Sequence, residues 1–338
     1  THINGYLWGV PMIVLLLGTH LYLTIRLKFP QRYIFKAIRL SVKRDKGSTG
    51  DVSQFSALAT SLAGTIGTGN IIGVATAVTM GGPGAVFWCW MTGVLGIATK
   101  YAEGLLAVKY RVQTEDGKML GGPMYALERG LGCRWLGWAF AFFTILASFF
   151  IGNMIQCNSI SMLLEEGYHI PPFTTGVTIA LLTCAVIMFG VKGIARVCEG
   201  LVPFMAVFYV GGCLWLLGVN HAYVWPALRL IVTDAFSPQA ATGGFVGASM
   251  MIAMRYGIAR GLFSNESGLG SAPIVAAAAR TKNPVRQALV SSTSPFWDTV
   301  VICAITGLVL VSSIMANPDI DSTAGATLTK VAFGQIPT

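Results

Sequence analysis

Ser264, Asn265 and Glu266 place two neutral polar groups and a carboxylate inside an otherwise apolar run, in "GLFSNESGLGSAP" from Gly261 to Pro273. A second polar interruption, "GTIGTGN" from Gly64 to Asn70, breaks another apolar run about two hundred residues earlier. Polar and ionisable groups at membrane depth are costly and mark sites for substrates or ions by default. Unwound backbone at that depth survives only where it lines a protected cavity, because every N–H and C=O needs a partner. Gly64, Gly67 and Gly69 would permit a sharp change of direction. A half-helix starting near Asn70 would then offer free N–H groups and a positive dipole end to a carboxylate. The half-helix before it would end in free carbonyls, which with the Thr65 or Thr68 hydroxyl suit Na⁺. An amino-acid zwitterion needs both kinds of end. The same glycines also suit close helix packing, but two breaks in corresponding places favour a site.

Other polar residues carry narrower readings. Phe150, Asn153 and Gln156, in "FFIGNMIQCNS", recur at three-residue spacing and share one helix face, an aromatic wall with two amides or a helix–helix hydrogen bond. Glu266 suits a cation or a substrate ammonium, or else pairs with Arg260 and caps a half-helix. Asn265-Glu266-Ser267 fits the glycosylation sequon, but a buried broken helix is no glycan acceptor. Lys100 and Glu103 are three apart and pair most simply with each other. Asp298, beside Trp297 near the start of the last span, reads as an interfacial ion pair in preference to a gate. Pro203 would kink its span, and Gly243-x-x-x-Gly247 would let a neighbour approach closely.

The elements that must position these groups are transmembrane helices. The chain has 338 residues, 54% hydrophobic and 11% charged, against about 25% charged in soluble domains. The apolar runs lack the dyad alternation of a lipid-embedded barrel. Eight spans are expected, at about 6–25, 54–80, 85–111, 135–164, 174–190, 194–219, 243–279 (interrupted) and 285–314. The net charge of +9 would suit nucleic acid, yet eight Lys and Arg crowd between Arg26 and Lys46, as in a cytoplasmic loop. That loop sets the N-terminus outside, and the later Lys- and Arg-rich loops alternate with it consistently. The seven cysteines are scattered and read as small packing residues.

The two interrupted spans run in opposite directions, each opening a block of helices. That is the sequence pointer to inverted repeats with a site between them. The organisation expected is an N-terminal helix and basic loop (1–53), a first five-helix repeat (54–219), and an outer loop with the first two helices of a second repeat (220–338). Five helices cannot fit before Thr338, so the second repeat reads as incomplete.

Several chemistries are not encoded. "GTGNIIG" is not GxGxxG, because its last Gly comes one residue late and no strand precedes it; no Walker loop is present. The four His form no ligand or triad pattern, and no nucleophile is paired with a base, so an enzyme is not expected. A channel would need charged rings or repeated carbonyl filters, and neither is visible.

"GGPGAVFWCWMTGVLG" (residues 81–96) closely resembles the signature of the sodium:alanine, or alanine/glycine:cation, symporter family. The resemblance continues in order through "TSLAGTIGTGNIIGVATA", "ATKYAEGLLAVKYR", "GGPMYALERGLG", "ASFFIGNMIQCNS", "LVPFMAVFY", "AFSPQAATGGFVGA", "RYGIARGLFSNESGLGSAPI" and "PVRQALV". It implies an all-α polytopic membrane protein of LeuT-like inverted-repeat fold with one extra N-terminal helix. The implied activity is uptake of small neutral amino acids (alanine, glycine) coupled to Na⁺ or H⁺ by alternating access across the inner (plasma) membrane, without another cofactor. It carries the substrate site onto Thr68, Gly69, Asn70, Phe150, Asn153, Ser264, Asn265 and Glu266, with Thr65 and Thr68 for Na⁺. Two departures stand out. Val275-Ala276-Ala277 occupies the place where members usually carry a His, and "GASMMIAMRYG" lacks their Lys-Gln pair. Three further helices, one of which would complete a sodium site with the first broken helix, are expected after Thr338.

Overall fold

The computed structural model describes residues 9–43, 45, 47–236 and 250–334. Helix α1 (Val10–Arg26) begins with a proline in its first turn, where no backbone bond is lost. Lys28 and Phe29 then take left-handed backbone conformations, and the chain bends by 64° into α2 (Ile34–Val42). Ser53 caps α3 (Gln54–Thr65), its hydroxyl accepting the Ser56 N–H at 2.9 Å. After Thr65 the helix stops, and it resumes at Gly69 as one wide turn leading into α4 (Val74–Gly81), bent 49° from α3. The expected break in the 54–80 span is therefore present.

Helix α5 (Gly84–Lys109) is the axis of the molecule. A two-stranded hairpin follows, β1 (Val112–Gln113) with β2 (Met119–Leu120). Helices α6 (Arg134–Ala147) and α7 (Met154–Tyr168) are joined through a wide turn at Ser148–Gly152 into one 35-residue span. Then come α8 (Pro172–Ile187), α9 (Gly190–Val219, with Pro203 inside) and α10 (His221–Asp234). Helix α11 (Met250–Asn265) and α12 (Ser271–Ala277) form the second broken helix. The Gly243–Gly247 pair and the start of that expected span lie outside the described residues. Helices α13 (Pro284–Pro295) and α14 (Ala304–Ala316) are continuous through a wide turn, giving a 33-residue span, and α15 (Leu328–Phe333) ends the description.

Small residues let α5 serve as the axis. Gly84, Gly93, Gly96 and Gly104 face α10, the middle of the last span, the second break and α13 respectively. Apolar clusters close the structure on either side: Val74, Val78, Val86, Ile231, Leu310 and Ile314 in one, and Leu58, Leu62, Val202, Val290 and Ile302 in another. The segment α6–α8 is different. Trp135, Phe142, Phe143, Phe149 and Leu181 are all exposed, the surface expected of helices facing lipid rather than water.

Among the described residues, three helices are long and apolar enough to cross a membrane singly, and five cross if each bent pair counts as one span. Eight were expected. Helix α8 is only 16 residues long, and α5 carries Lys100 and Glu103 in its second half. The expected outer loop at 220–239 holds a helix instead, α10, with Ala227 and Ile231 wholly buried. Pro226 removes a single backbone bond there, and the apolar face restores the balance.

The loops expected on the cytoplasmic side meet at one end. Arg111 donates to the carbonyls of Ala277, Ala279 and Thr281 (2.9, 2.8 and 3.0 Å) and to that of Thr49. Arg286 donates to Gln54 Oε1 at 2.9 Å and lies 3.8 Å from Asp45. At the opposite end Asp234 accepts the Gly84 N–H at 2.8 Å.

Candidate functional site

The two breaks lie against each other. A Cβ added at Gly69 would stand 3.2 Å from the Ser264 Cα, so a larger residue there would push the two backbones apart by a few tenths of an ångström. This changes the reading of the first break. Gly64, Gly67 and Gly69 are absent from the glycines with positive φ, and the bend at 65–69 needs no glycine conformation. What glycine supplies is proximity, at Gly69 to Ser264 and at Gly67 to the Gln156 side chain, whereas Gly64 has no atom within 4 Å of an added Cβ. The second break does use the left-handed region, at Glu266 (φ 52°), Gly268 (97°) and Gly270 (82°).

Asn70 organises the junction. Its Oδ1 accepts the Gly67 N–H at 2.8 Å, tying off the break. Its amide nitrogen points the other way, 2.7 Å from Asp298 Oδ1 and 3.1 Å from both Ser264 Oγ and the Asp298 carbonyl, with Cys303 Sγ at 3.3 Å. The Asp298 bond is the shortest and takes one of the two amide hydrogens. Asp298 Oδ2 accepts from Ser264 Oγ at 2.9 Å and from Thr299 Oγ1 at 2.6 Å. The first break, the second break and the last long span thus converge on one carboxylate that is 0% exposed.

Asp298 was expected in an interfacial ion pair. It makes none among the described residues; the ion pairs involve Lys100, Arg134, Arg286 and Lys330 with Glu103, Glu128, Asp45 and Glu166. Helix α13 starts at Pro284, so Asp298 falls near the middle of a continuous span rather than at its mouth. A lone carboxylate inside an apolar span was the available signal.

The remaining predicted residues divide. Thr68 and Gly69 sit at the first break, and the Thr68 N–H donates to Gln156 Oε1 at 3.4 Å. The Thr68 hydroxyl is buried without a partner, whereas the Thr65 hydroxyl donates to the Leu62 carbonyl at 3.3 Å. Asn265 turns away from Asn70: its Nδ2 donates to Thr92 Oγ1 at 3.3 Å and its Oδ1 accepts the Ser267 N–H at 2.9 Å. Glu266 neither pairs with Arg260 nor caps α12, whose first turn has no side-chain cap; its carboxylate accepts from the Ser271 hydroxyl. Phe150 is 60% exposed, and Asn153 is exposed with its amide donating to the Ser148 carbonyl at 3.3 Å. Of that expected face, only Gln156 is brought to a break.

Beside the second break, on the side of the Arg111 loops, lies a cavity of about 530 Å³. Its wall includes Glu103, Tyr110, Phe140, Gly268, Gly270 and Pro273. It reaches the broken backbone from the end of the molecule where the basic loops gather.

One carboxylate and two hydroxyls, buried together, make a hard-oxygen environment for a small monovalent cation, and the Asn70 amide turns its nitrogen towards it. The free hydroxyl of Thr68 and the unwound backbone beside it can bind a small polar solute. No group of three or more His, Cys, Asp or Glu is placed to hold a metal ion among the described residues. A helical membrane protein with two broken helices meeting at a buried polar centre belongs to the class of membrane transport proteins. The sequence model of the sodium:alanine symporter family matches residues 1–336, and the chain belongs to that family. It is 53% identical over 336 residues to an uncharacterized transporter of Haemophilus influenzae (98% of this chain, 73% of the relative). It is 49% identical over 339 residues to the sodium/alanine symporter AgcS of Methanococcus maripaludis (98% and 74%). It is 38% identical over 315 residues to the probable sodium/glutamine symporter GlnT of Bacillus subtilis (92% and 64%). The protein is a multi-pass membrane symporter and not an enzyme.

Proposed function

We propose that the protein takes up alanine and glycine together with Na⁺, by alternating access around its two broken helices, in the plasma membrane and with its N-terminus outside. The observation that carries this reading is Asp298, a buried carboxylate bonded at once to Asn70 of the first break and Ser264 of the second. A cation arriving at Asp298 takes the place of those hydrogen bonds and draws the oxygens of Ser264 and Thr299 towards it. Both breaks then change together, which is the linkage that coupling requires. The substrate carboxylate goes to the N–H groups at Thr68–Asn70, replacing the bonds that Thr68 makes to Gln156 and Asn70 makes to the Gly67 carbonyl, and its ammonium goes to the Ser264–Glu266 side. Phe150 and Asn153, exposed on the turns before Gln156, become the wall over a small side chain when this segment moves in during the transport cycle. Thr68 offers a further oxygen for Na⁺ at the carbonyl end of α3, with Thr65 beneath it.

On this reading the architecture is LeuT-like. Residues 54–219 form the first inverted repeat behind an extra N-terminal helix, and residues 220–338 open the second. The cavity beside Glu103 is the inward-facing vestibule. Proteoliposomes containing the protein should accumulate labelled alanine when an inward Na⁺ gradient is imposed, and unlabelled glycine should compete while leucine competes weakly. Uptake unchanged after both the Na⁺ and H⁺ gradients are collapsed would sink the symport reading. Asn70→Ala should lower alanine affinity by roughly ten- to a hundredfold, since it removes an amide that closes one break and bonds a charged group across to the other. Equilibrium binding of labelled alanine in detergent measures it directly.

A further inference from the structure

Helix α5 follows the second break residue by residue. Thr92 accepts from Asn265 at 3.3 Å, and Gly96 lies against Ser267. One turn on, the Lys100 ammonium donates to the Glu266 carbonyl at 3.0 Å. Three residues later Glu103 Oε1 accepts the Gly268 N–H at 3.1 Å. Lys100 and Glu103 are 3.8 Å apart, and the Lys100 side chain is only 1% exposed. A broken helix leaves carbonyls at the end of its first half and N–H groups at the start of its second. Here one helix supplies an ammonium to the carbonyl end and a carboxylate to the N–H end. The first break has no such arrangement: among the described residues its backbone is bonded by the neutral side chains of Asn70 and Gln156.

We propose that Lys100 is a tethered cation for the second break, oriented by Glu103, which holds that break in its substrate-ready shape without a mobile ion. The difference between the breaks then has a consequence for coupling. The second break is neutralised permanently, and ion-dependent rearrangement falls to the Asn70–Ser264–Asp298 junction. That last step rests on the reading of Asp298 given above. Lys100 and Glu103 act through the backbone of Glu266 and Gly268, as positioning residues.

Lys100→Gln removes the charge but keeps a donor. Its uptake should need more Na⁺, with the half-saturating concentration raised at least about tenfold, because a buried carbonyl and a carboxylate lose an ionic partner. The Na⁺ dependence should also become steeper as a mobile ion fills the vacated place, and saturating Na⁺ should restore much of the maximal rate. Lys100→Arg should keep the wild-type Na⁺ dependence. A folded Lys100→Gln variant with wild-type Na⁺ dependence, or with a loss that saturating Na⁺ does not relieve, overturns the proposal. If Lys100→Gln does not accumulate, the double variant Lys100→Gln/Glu103→Gln carries the test, since it keeps both hydrogen-bonding side chains and buries no lone charge. It should show the same Na⁺ shift. Wild-type Na⁺ dependence in the double variant, or failure of both variants to fold, overturns the proposal. Asp298→Asn separates the two readings: retained Na⁺ coupling there removes Asp298 as the coupling site but leaves the Lys100 comparison intact.

Discussion

Asp298→Asn is expected to abolish Na⁺-stimulated alanine uptake while leaving a folded protein. Asparagine has the shape of aspartate, so the packing at a wholly buried position is preserved. What changes is charge and one acceptor. Asp298 receives hydrogen bonds from Asn70 (2.7 Å), Ser264 (2.9 Å) and Thr299 (2.6 Å), all neutral, and no cationic side chain pairs with it among the described residues. A buried carboxylate held only by neutral donors attracts a small cation strongly, because three hydrogen bonds offset part of its desolvation and none of its charge. An amide holds the same neighbours but not the ion. Hydrogen bonds to charged groups are worth about 1.5–3 kcal/mol each. Losing the charge should therefore weaken the ion's hold by roughly two orders of magnitude or more. Two measurements check this. Labelled alanine uptake should become insensitive to the Na⁺ gradient, and the thermal midpoint in detergent, which should rise with Na⁺ for the wild type, should not respond to Na⁺ in the variant. A Na⁺-dependent rise of wild-type size in Asp298→Asn would remove this residue from the cation site.

Asp298 also marks the boundary of what the sequence makes legible. Both breaks could be read locally, since a Gly–Thr–Asn run and a Ser–Asn–Glu–Ser–Gly run are conspicuous inside apolar spans. The meeting of Asn70 with Ser264 follows once two breaks are taken to share a site. The Asp298 contact does not follow, because it depends on which face of the last span meets the breaks and on how the span packs across them. The expected span at 285–314 already sets Asp298 thirteen residues in, close to the observed start at Pro284; the error is to take a carboxylate beside a tryptophan for the mark of a span end. Lys100 and Glu103 show a similar limit. Their i,i+3 spacing forecasts the pair, but the Glu266 carbonyl and Gly268 N–H become targets only when Glu266, Gly268 and Gly270 adopt left-handed conformations. Phe150 and Asn153 share a regular helix face with Gln156 only if the helix is regular. A wide turn at Ser148–Gly152 alters that register, and Gln156 alone reaches a break. In each instance the polar residue is legible and its partner is set by tertiary geometry.

The glycines yield the second large effect, and in the opposite place from where the breaks would suggest. Gly257→Ala should strongly destabilise the protein, although Gly257 lies within a regular stretch of α11. A Cβ there would stand 2.3 Å from the Ala85 carbonyl oxygen and 2.8 Å from the Trp88 Cβ. The oxygen belongs to the backbone of α5 and cannot swing aside, so α5 and α11 must separate. Small residues at such crossings are what allow membrane helices to pack without a hydrophobic drive, and overpacking of this kind costs about 1–3 kcal/mol or more. The thermal midpoint should fall by about 3–10 °C on that basis. Uptake should fall further than stability, because Ser264 lies two turns along the same helix and would be carried away from Asp298. Gly64→Ala is the contrast. Gly64 is the penultimate residue of α3, has no atom within 4 Å of an added Cβ, and is not among the glycines with positive φ. Alanine there should be tolerated, with a midpoint equal to the wild type or slightly higher from its better helix propensity. The reverse ranking, with Gly257→Ala silent and Gly64→Ala damaging, would mean that the first break depends on glycine flexibility rather than on the close crossing of α5 and α11.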